Sequence, residues 1–99
     1  MTKPFKVEIP EKNLENIYSK VKNYHWHEMP DDGGWDYGTN LDYMKEFTDY
    51  WVNKFNWRKT EKEINKFNNF KSNIDGIDIH FIQEKGSGSN PKPLLLNHG

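Results

Sequence analysis

The chain has 99 residues, 33% of them hydrophobic, with 14 basic and 15 acidic side chains, a formal net charge of -1 and no cysteine. That length holds at most one small domain. The balanced charge argues against a nucleic-acid binder, which carries a basic excess, and the lack of cysteine excludes a disulfide framework or a thiolate site.

From the N-terminus, Phe5, Val7 and Ile9 alternate with Lys6 and Glu8, the period of a short extended segment. Pro10 breaks it and suits the first turn of a helix. Leu14, Ile17, Tyr18 and Val21 then recur at three- and four-residue steps, predicting an amphipathic helix over 11–24. Residues 26–39 show no periodicity, and Pro30, Asp31, Asp32, Gly33, Gly34 and Gly38 mark them as loop. Trp26, Trp35 and Tyr37 make that loop aromatic. Thr39 or Asn40 can cap a second helix, with Asp42 in its first turn. Its stripe is Leu41, Met44, Phe47, Trp51 and Phe55, widened by Tyr43 and Tyr50. Asn56 can cap a third, shorter helix over Trp57–Ile64.

After Asn69 the period changes to two. Phe70 to Ile74 and Ile77 to Phe81 read as two strands joined by Asp75-Gly76, a strong hairpin signal because glycine accepts positive φ. Gly86-Ser87-Gly88-Ser89-Asn90 is a surface loop. Pro93 leads into Leu94-Leu95-Leu96, a continuous apolar run that suggests a strand buried on both faces. Such a strand needs sheet partners and helical cover, which these residues do not supply. The expected fold class is therefore α/β: a helical N-terminal extension, residues 1–69, followed at 70–99 by the first strands, a hairpin plus a buried strand, of an incomplete sheet.

Several residue clusters invite sharper readings. His25-x-His27-Glu28 has two imidazoles and a carboxylate, but i and i+2 do not share a helix face and no further ligands follow at metal spacing. Asp31-Asp32-Gly33-Gly34 lacks the alternating acids and terminal Glu of a calcium loop, so a plain turn is expected. Neither a metal nor a cofactor is expected. The aromatics of the second helix could stack bases, yet their helical spacing points to packing. Arg58 and Glu61 form a spaced pair with a structural reading. His80 is expected to hydrogen-bond at the margin of a core, since no Gly-x-[Asp/Ser]-x-Gly elbow is present to make it a catalytic base. The Met1–Lys6 start has no apolar h-region and no run approaches the roughly 18 apolar residues of a membrane span, so a soluble, cytoplasmic protein is the default expectation.

The order Trp35-Asp36-Tyr37-Gly38, Tyr50-Trp51, Phe55-Asn56-Trp57-Arg58, Asn65, then Ile74-Asp75-Gly76-Ile77-Asp78-Ile79-His80-Phe81 resembles the N-terminal domain of microsomal-type epoxide hydrolases, a branch of the α/β-hydrolase fold. The resemblance runs from about Phe5 to Gly99. It implies that His98-Gly99 opens the His-Gly-x-Pro turn, whose following backbone N–H serves the oxyanion hole. It also implies an aspartate nucleophile, two acid tyrosines and a His–acid pair that form and cleave a covalent ester, all downstream of Gly99. Tyr37, Tyr43 and Tyr50 are not those tyrosines. The resemblance thus implies the front part of an enzyme that takes lipophilic epoxides and water to vicinal diols, with catalytic residues absent from this chain. A truncated, non-catalytic remnant or interaction module is the alternative.

Overall fold

The computed structural model describes residues 1–30 and 33–99. In chain order the elements are β1 (Thr2–Pro4), α1 (Glu11–Lys22), α2 (Leu41–Asn53), α3 (Trp57–Ile64), β2 (Asn69–Ile74) and β3 (Ile77–Ile82). They fall into two compact units, Glu8–Thr60 and Met1–Val7 together with Glu61–Gly99.

The Glu8–Thr60 unit packs α1 against α2 and includes the loop between them. Pro10 precedes α1, and its carbonyl accepts from Asn13 N at 2.9 Å, starting the helix. Glu11 lies at the positive end of the helix and Lys20 and Lys22 at the negative end, each sign where the helix dipole favours it. Asn23 ends it by returning both its backbone N–H and its side-chain Nδ2 to Ser19 O. α2 starts on Asn40, whose Oδ1 accepts from Tyr43 N at 2.9 Å. It ends where Lys54 N and Phe55 N both donate to Tyr50 O. Leu14 is buried, and with Ile17 and Tyr18 of the same helix it lines an apolar cleft together with Trp51, Phe55 and Trp57. Two polar ties hold the lower end: Tyr18 Oη donates to Phe55 O at 3.3 Å, and Arg58 Nη2 meets Glu11 Oε2 at 2.9 Å.

The other unit is a three-stranded antiparallel sheet in the order β1-β2-β3. Phe70 pairs with Phe81, Ser72 with Ile79 and Ile74 with Ile77. Because strand side chains alternate, these six share one face, with the two phenylalanine rings stacked at 5.7 Å. Asp75 (φ 50) and Gly76 (φ 84) make the two-residue turn with both central residues at positive φ, the geometry that matches strand twist. Asn73 braces it, accepting from Gly76 N at 3.1 Å and donating to Asp78 Oδ1 at 2.8 Å.

Three asparagines join this sheet to the segments around it. Asn65 forms a two-point bond with the Val7 peptide, Oδ1 accepting from Val7 N at 2.8 Å and Nδ2 donating to Val7 O at 2.7 Å. Asn68 donates through N and Nδ2 to the Glu84 carboxylate at 2.6 and 2.9 Å. Asn69, only 5% exposed, donates through Nδ2 to Ile64 O and Phe67 O, both at 2.9 Å, tying the end of α3 and the turn after it to β2.

The first strand is Thr2–Pro4, paired with Phe70–Ser72, and the segment expected to be extended at Phe5–Ile9 follows it outside any strand. That later stretch is tied instead by Phe5 N to Asn69 O at 2.8 Å and by Val7 to Asn65, single bonds that make no ladder. The Leu94-Leu95-Leu96 run forms no strand, and its leucines are 81%, 91% and 83% exposed. A strand buried on both faces exists only between neighbours, and none pairs with it here.

Candidate functional site

A cavity of about 560 Å³ opens in the Glu8–Thr60 unit. Val21 and Tyr24 from the end of α1, Met44, Thr48 and Trp51 from α2, and Trp26, His27, Met29 and Tyr37 from the intervening loop line it. The loop is folded locally by Gly33 N to Pro30 O at 2.9 Å and Asp36 N to Gly33 O at 2.8 Å. Gly33 is required there: a Cβ would meet Pro30 O and the Tyr37 ring at 3.0 Å. Asn40 ties the loop to α2, its Nδ2 donating to Gly34 O at 3.3 Å, and Trp35 lies against Tyr43 with ring centroids 5.3 Å apart. Among the described lining residues there is no carboxylate, lysine or arginine. The cavity can hold apolar groups, but it offers no acid–base pair.

The candidate chemical residues do not converge. His98 and Gly99 are exposed, and His98 Nδ1 lies 3.1 Å from Gly99 O. His80 Nε2 lies 2.8 Å from Asn69 Oδ1. Since Asn69 Nδ2 already donates twice, Oδ1 is the acceptor, and His80 carries its proton on Nε2. The hydrogen bonds of both histidines therefore go to amide or carbonyl oxygen, not to a carboxylate or nucleophile. His80 also packs edge-on against Phe5 at 5.1 Å, which places it at a core margin as its strand position implies. No group of three or more His, Cys, Asp or Glu among the described residues could hold a metal ion. The Asp31-Asp32 pair of the expected turn lies outside the described residues. Tyr37, Tyr43 and Tyr50 are all exposed, and Tyr43 stacks on Phe47 at 6.4 Å.

The surface itself is the more informative site. Tyr43, Phe47 and Tyr50 lie on one face of α2 and are 50%, 50% and 53% exposed. On the sheet, Ile74, Ile77 and Ile79 share a face and are 57%, 64% and 43% exposed. Apolar faces of this size on a small protein mark surfaces that meet another body. Sequence reasoning found the aromatic stripe of α2 but assigned it to packing. What it missed were the structural duties of Asn65 and Asn69, which give no signal in hydrophobic periodicity.

Comparison with known proteins places these features. The chain matches the family described as Epoxide hydrolase N terminus over residues 2–99. It is 38% identical over 101 residues to Epoxide hydrolase 1 of Sus scrofa and 37% identical over 101 residues to Juvenile hormone epoxide hydrolase 1 of Ctenocephalides felis, in each case covering 98% of this chain and 22% of the relative. Among solved structures, the epoxide hydrolase of Aspergillus niger superposes with a TM-score of 0.75 at 26% identity, over 83% of this chain and 22% of that one. The fold is that of the N-terminal part of the α/β-hydrolase epoxide hydrolases. The chain belongs to the epoxide hydrolase N-terminus family, and it spans about 22% of the length of the curated relatives it matches. No helix among the described residues is long and apolar enough to cross a membrane.

Proposed function

We propose that this chain is the structural N-terminal part of an epoxide hydrolase that converts small lipophilic epoxides and water to vicinal diols, and that it has no such activity alone. Residues 1–69 act as the helical brace and residues 70–99 open the hydrolase sheet, with His98 and Gly99 shaping the turn that leads to the oxyanion hole. The observation that carries this reading is the family match over residues 2–99, set beside histidines whose bonds go to amide and carbonyl groups. The exposed faces of α2 and of the hairpin support it, as surfaces for the body of the enzyme.

The test is an exchange. The matching N-terminal segment of the Aspergillus niger enzyme is replaced by this chain, and diol formation from aryl and alkyl epoxides is measured beside the isolated 99 residues. Activity in the folded chimera with none in the isolated chain is expected. A folded chimera without activity, or diol formation above background by the isolated chain, overturns the proposal.

A further inference from the structure

The turn between β2 and β3 holds an Asp-Gly step, the dipeptide in which an aspartate side chain cyclises most readily, because glycine puts no Cβ in the way of the ring. At Gly76 a Cβ would meet nothing within 4 Å, so this glycine serves its φ of 84 and not a shortage of space. Asp75 and Gly76 are both exposed. Asn73 does the polar work of the turn: its Oδ1 accepts from Gly76 N at 3.1 Å and its Nδ2 donates to Asp78 Oδ1 at 2.8 Å. The Asp75 carboxyl takes part in neither bond.

We infer that Asp75-Gly76 is a site of isoaspartate formation, and that the closed hairpin, latched by Asn73, sets its rate. In the reaction Gly76 N loses its proton and bonds to Asp75 Cγ. A Cγ–O bond breaks and water leaves, giving a five-membered succinimide. Water then adds to a ring carbonyl. Opening at the Cγ–N bond restores aspartate. Opening at the backbone C–N bond leaves isoaspartate, whose main chain runs through Cβ and whose α-carboxylate is free. Every reacting atom of the protein lies within Asp75 and Gly76, whatever else a longer chain packs around the hairpin.

The turn geometry opposes the first step. In a two-residue turn of this class ψ at the first residue is roughly +30°, which puts Gly76 N nearly anti to Asp75 Cβ about the Cα–C bond. Ring closure needs the two nearly eclipsed. The rotation that brings them together swings Gly76 N away from Asn73 Oδ1 and parts Ile74 from Ile77, the pair that closes the ladder. Cyclisation therefore proceeds from the opened turn, and its rate follows the free energy of that local opening. The product does not reclose. Isoaspartate adds a backbone carbon to a turn whose two residues match the strand twist, so the Ile74–Ile77 and Asn73–Asp78 pairs lose their register. The modification marks a hairpin that has opened and keeps it open.

The test incubates the protein at neutral pH beside a free peptide of residues 72–78 and follows isoaspartate by peptide mapping, with fragmentation that locates the extra backbone carbon. Isoaspartate is expected at residue 75 of both. It should form about tenfold to a hundredfold more slowly in the protein, since each ~1.4 kcal/mol of local opening is a factor of ten. Asn73→Ala should speed the protein's reaction by about fivefold, the equivalent of one hydrogen bond, while Asn73→Asp, which keeps an acceptor for Gly76 N, should stay near the parent rate. The sequence holds a second Asp-Gly step, Asp32-Gly33, whose rate should be the same in all three chains; it separates loss of the latch from general unfolding. Circular dichroism confirms that each variant keeps its sheet, and the comparison of parent with peptide needs no variant. No isoaspartate at residue 75 of the protein once the peptide has fully converted overturns the inference. So does a protein that reacts as fast as the peptide, or an Asn73→Ala chain whose rate at residue 75 is unchanged or rises only in step with that at residue 32.

Discussion

Replacing Asn69 by alanine tests how the sheet unit is held together. Asn69 is 5% exposed and makes three side-chain bonds: Nδ2 to Ile64 O and to Phe67 O at 2.9 Å, and Oδ1 from His80 Nε2 at 2.8 Å. At about 1 kcal/mol net per bond the loss approaches ~3 kcal/mol. Ile64 is half-buried and Phe67 exposed, so water can take over part of what their carbonyls lose, which brings the expectation to about 2–3 kcal/mol. For a chain of this size that lowers the melting temperature by roughly 8–20 °C. Asn69→Asp separates donor from acceptor. The carboxylate can still accept from His80, but it has no N–H for the two carbonyls and sets negative charge against them. It should therefore cost more than alanine. Paired with His80→Ala, a double-mutant cycle should give a coupling of about 1 kcal/mol. Thermal and urea unfolding followed by circular dichroism read all three. A loss below about 0.5 kcal/mol for Asn69→Ala, within the range of ordinary surface changes, or an aspartate variant as stable as the parent, would refute the assignment of Asn69 as the joint between α3 and the sheet.

Gly76→Ala forces a Cβ onto a residue at φ 84 and should cost about 1–2 kcal/mol in the same melts, whereas Asp75→Asn, which keeps a residue suited to positive φ, should be neutral or slightly stabilising. Glu11→Gln removes an ion pair whose acid side chain is 70% exposed. It should cost no more than about 0.5 kcal/mol, an effect that fades in high salt. Changing Leu94, Leu95 and Leu96 together to serine should reduce binding of an apolar dye markedly while leaving the melting temperature within about 2 °C, because side chains 81–91% exposed contribute little to folding.

Local patterns were readable in the sequence wherever a short stretch decides its own conformation. Asn40 and Asn56 cap α2 and α3, accepting from Tyr43 N and Lys59 N. Asp75-Gly76 turns the hairpin, and the change of period after Asn69 marks β2. The helix predicted over 11–24 ends at Lys22, because the Asn23 side chain competes for Ser19 O and stops it. What the sequence did not reveal depends on distant partners. β1 is three residues long and includes a proline, and its ladder lies some 66–70 residues away at Phe70–Ser72. Nothing near Thr2 announces it. The apolar run at Leu94–Leu96 describes the environment a strand requires, and its exposure accords with the expectation that these residues do not create that environment. The candidate site was legible as motif letters only. Asn65 and His80 belong to the ordered pattern, but their reason is visible only when Asn65 is seen paired to Val7 and His80 to Asn69.

Burial divides the polar from the large apolar side chains of this aromatic-rich domain. Among the described residues the buried positions include one hydrophobic side chain, Leu14, beside the polar Glu61 and Asn69. Amide side chains hold the joints, and the large apolar residues lie outside on α2 and on one face of the hairpin. Phe47 and Ile77 are 50% and 64% exposed, so each stands to gain about 1–2 kcal/mol when fully covered. Three such residues on one face amount to about 3–6 kcal/mol, comparable with the net stability of a marginal small domain. Asn65, Asn68, Asn69 and Asn73 each bond to the chain's own backbone or carboxylates. The polar groups fix the frame and the large apolar groups face outward, the division of labour that the proposed role of a brace within a larger enzyme requires.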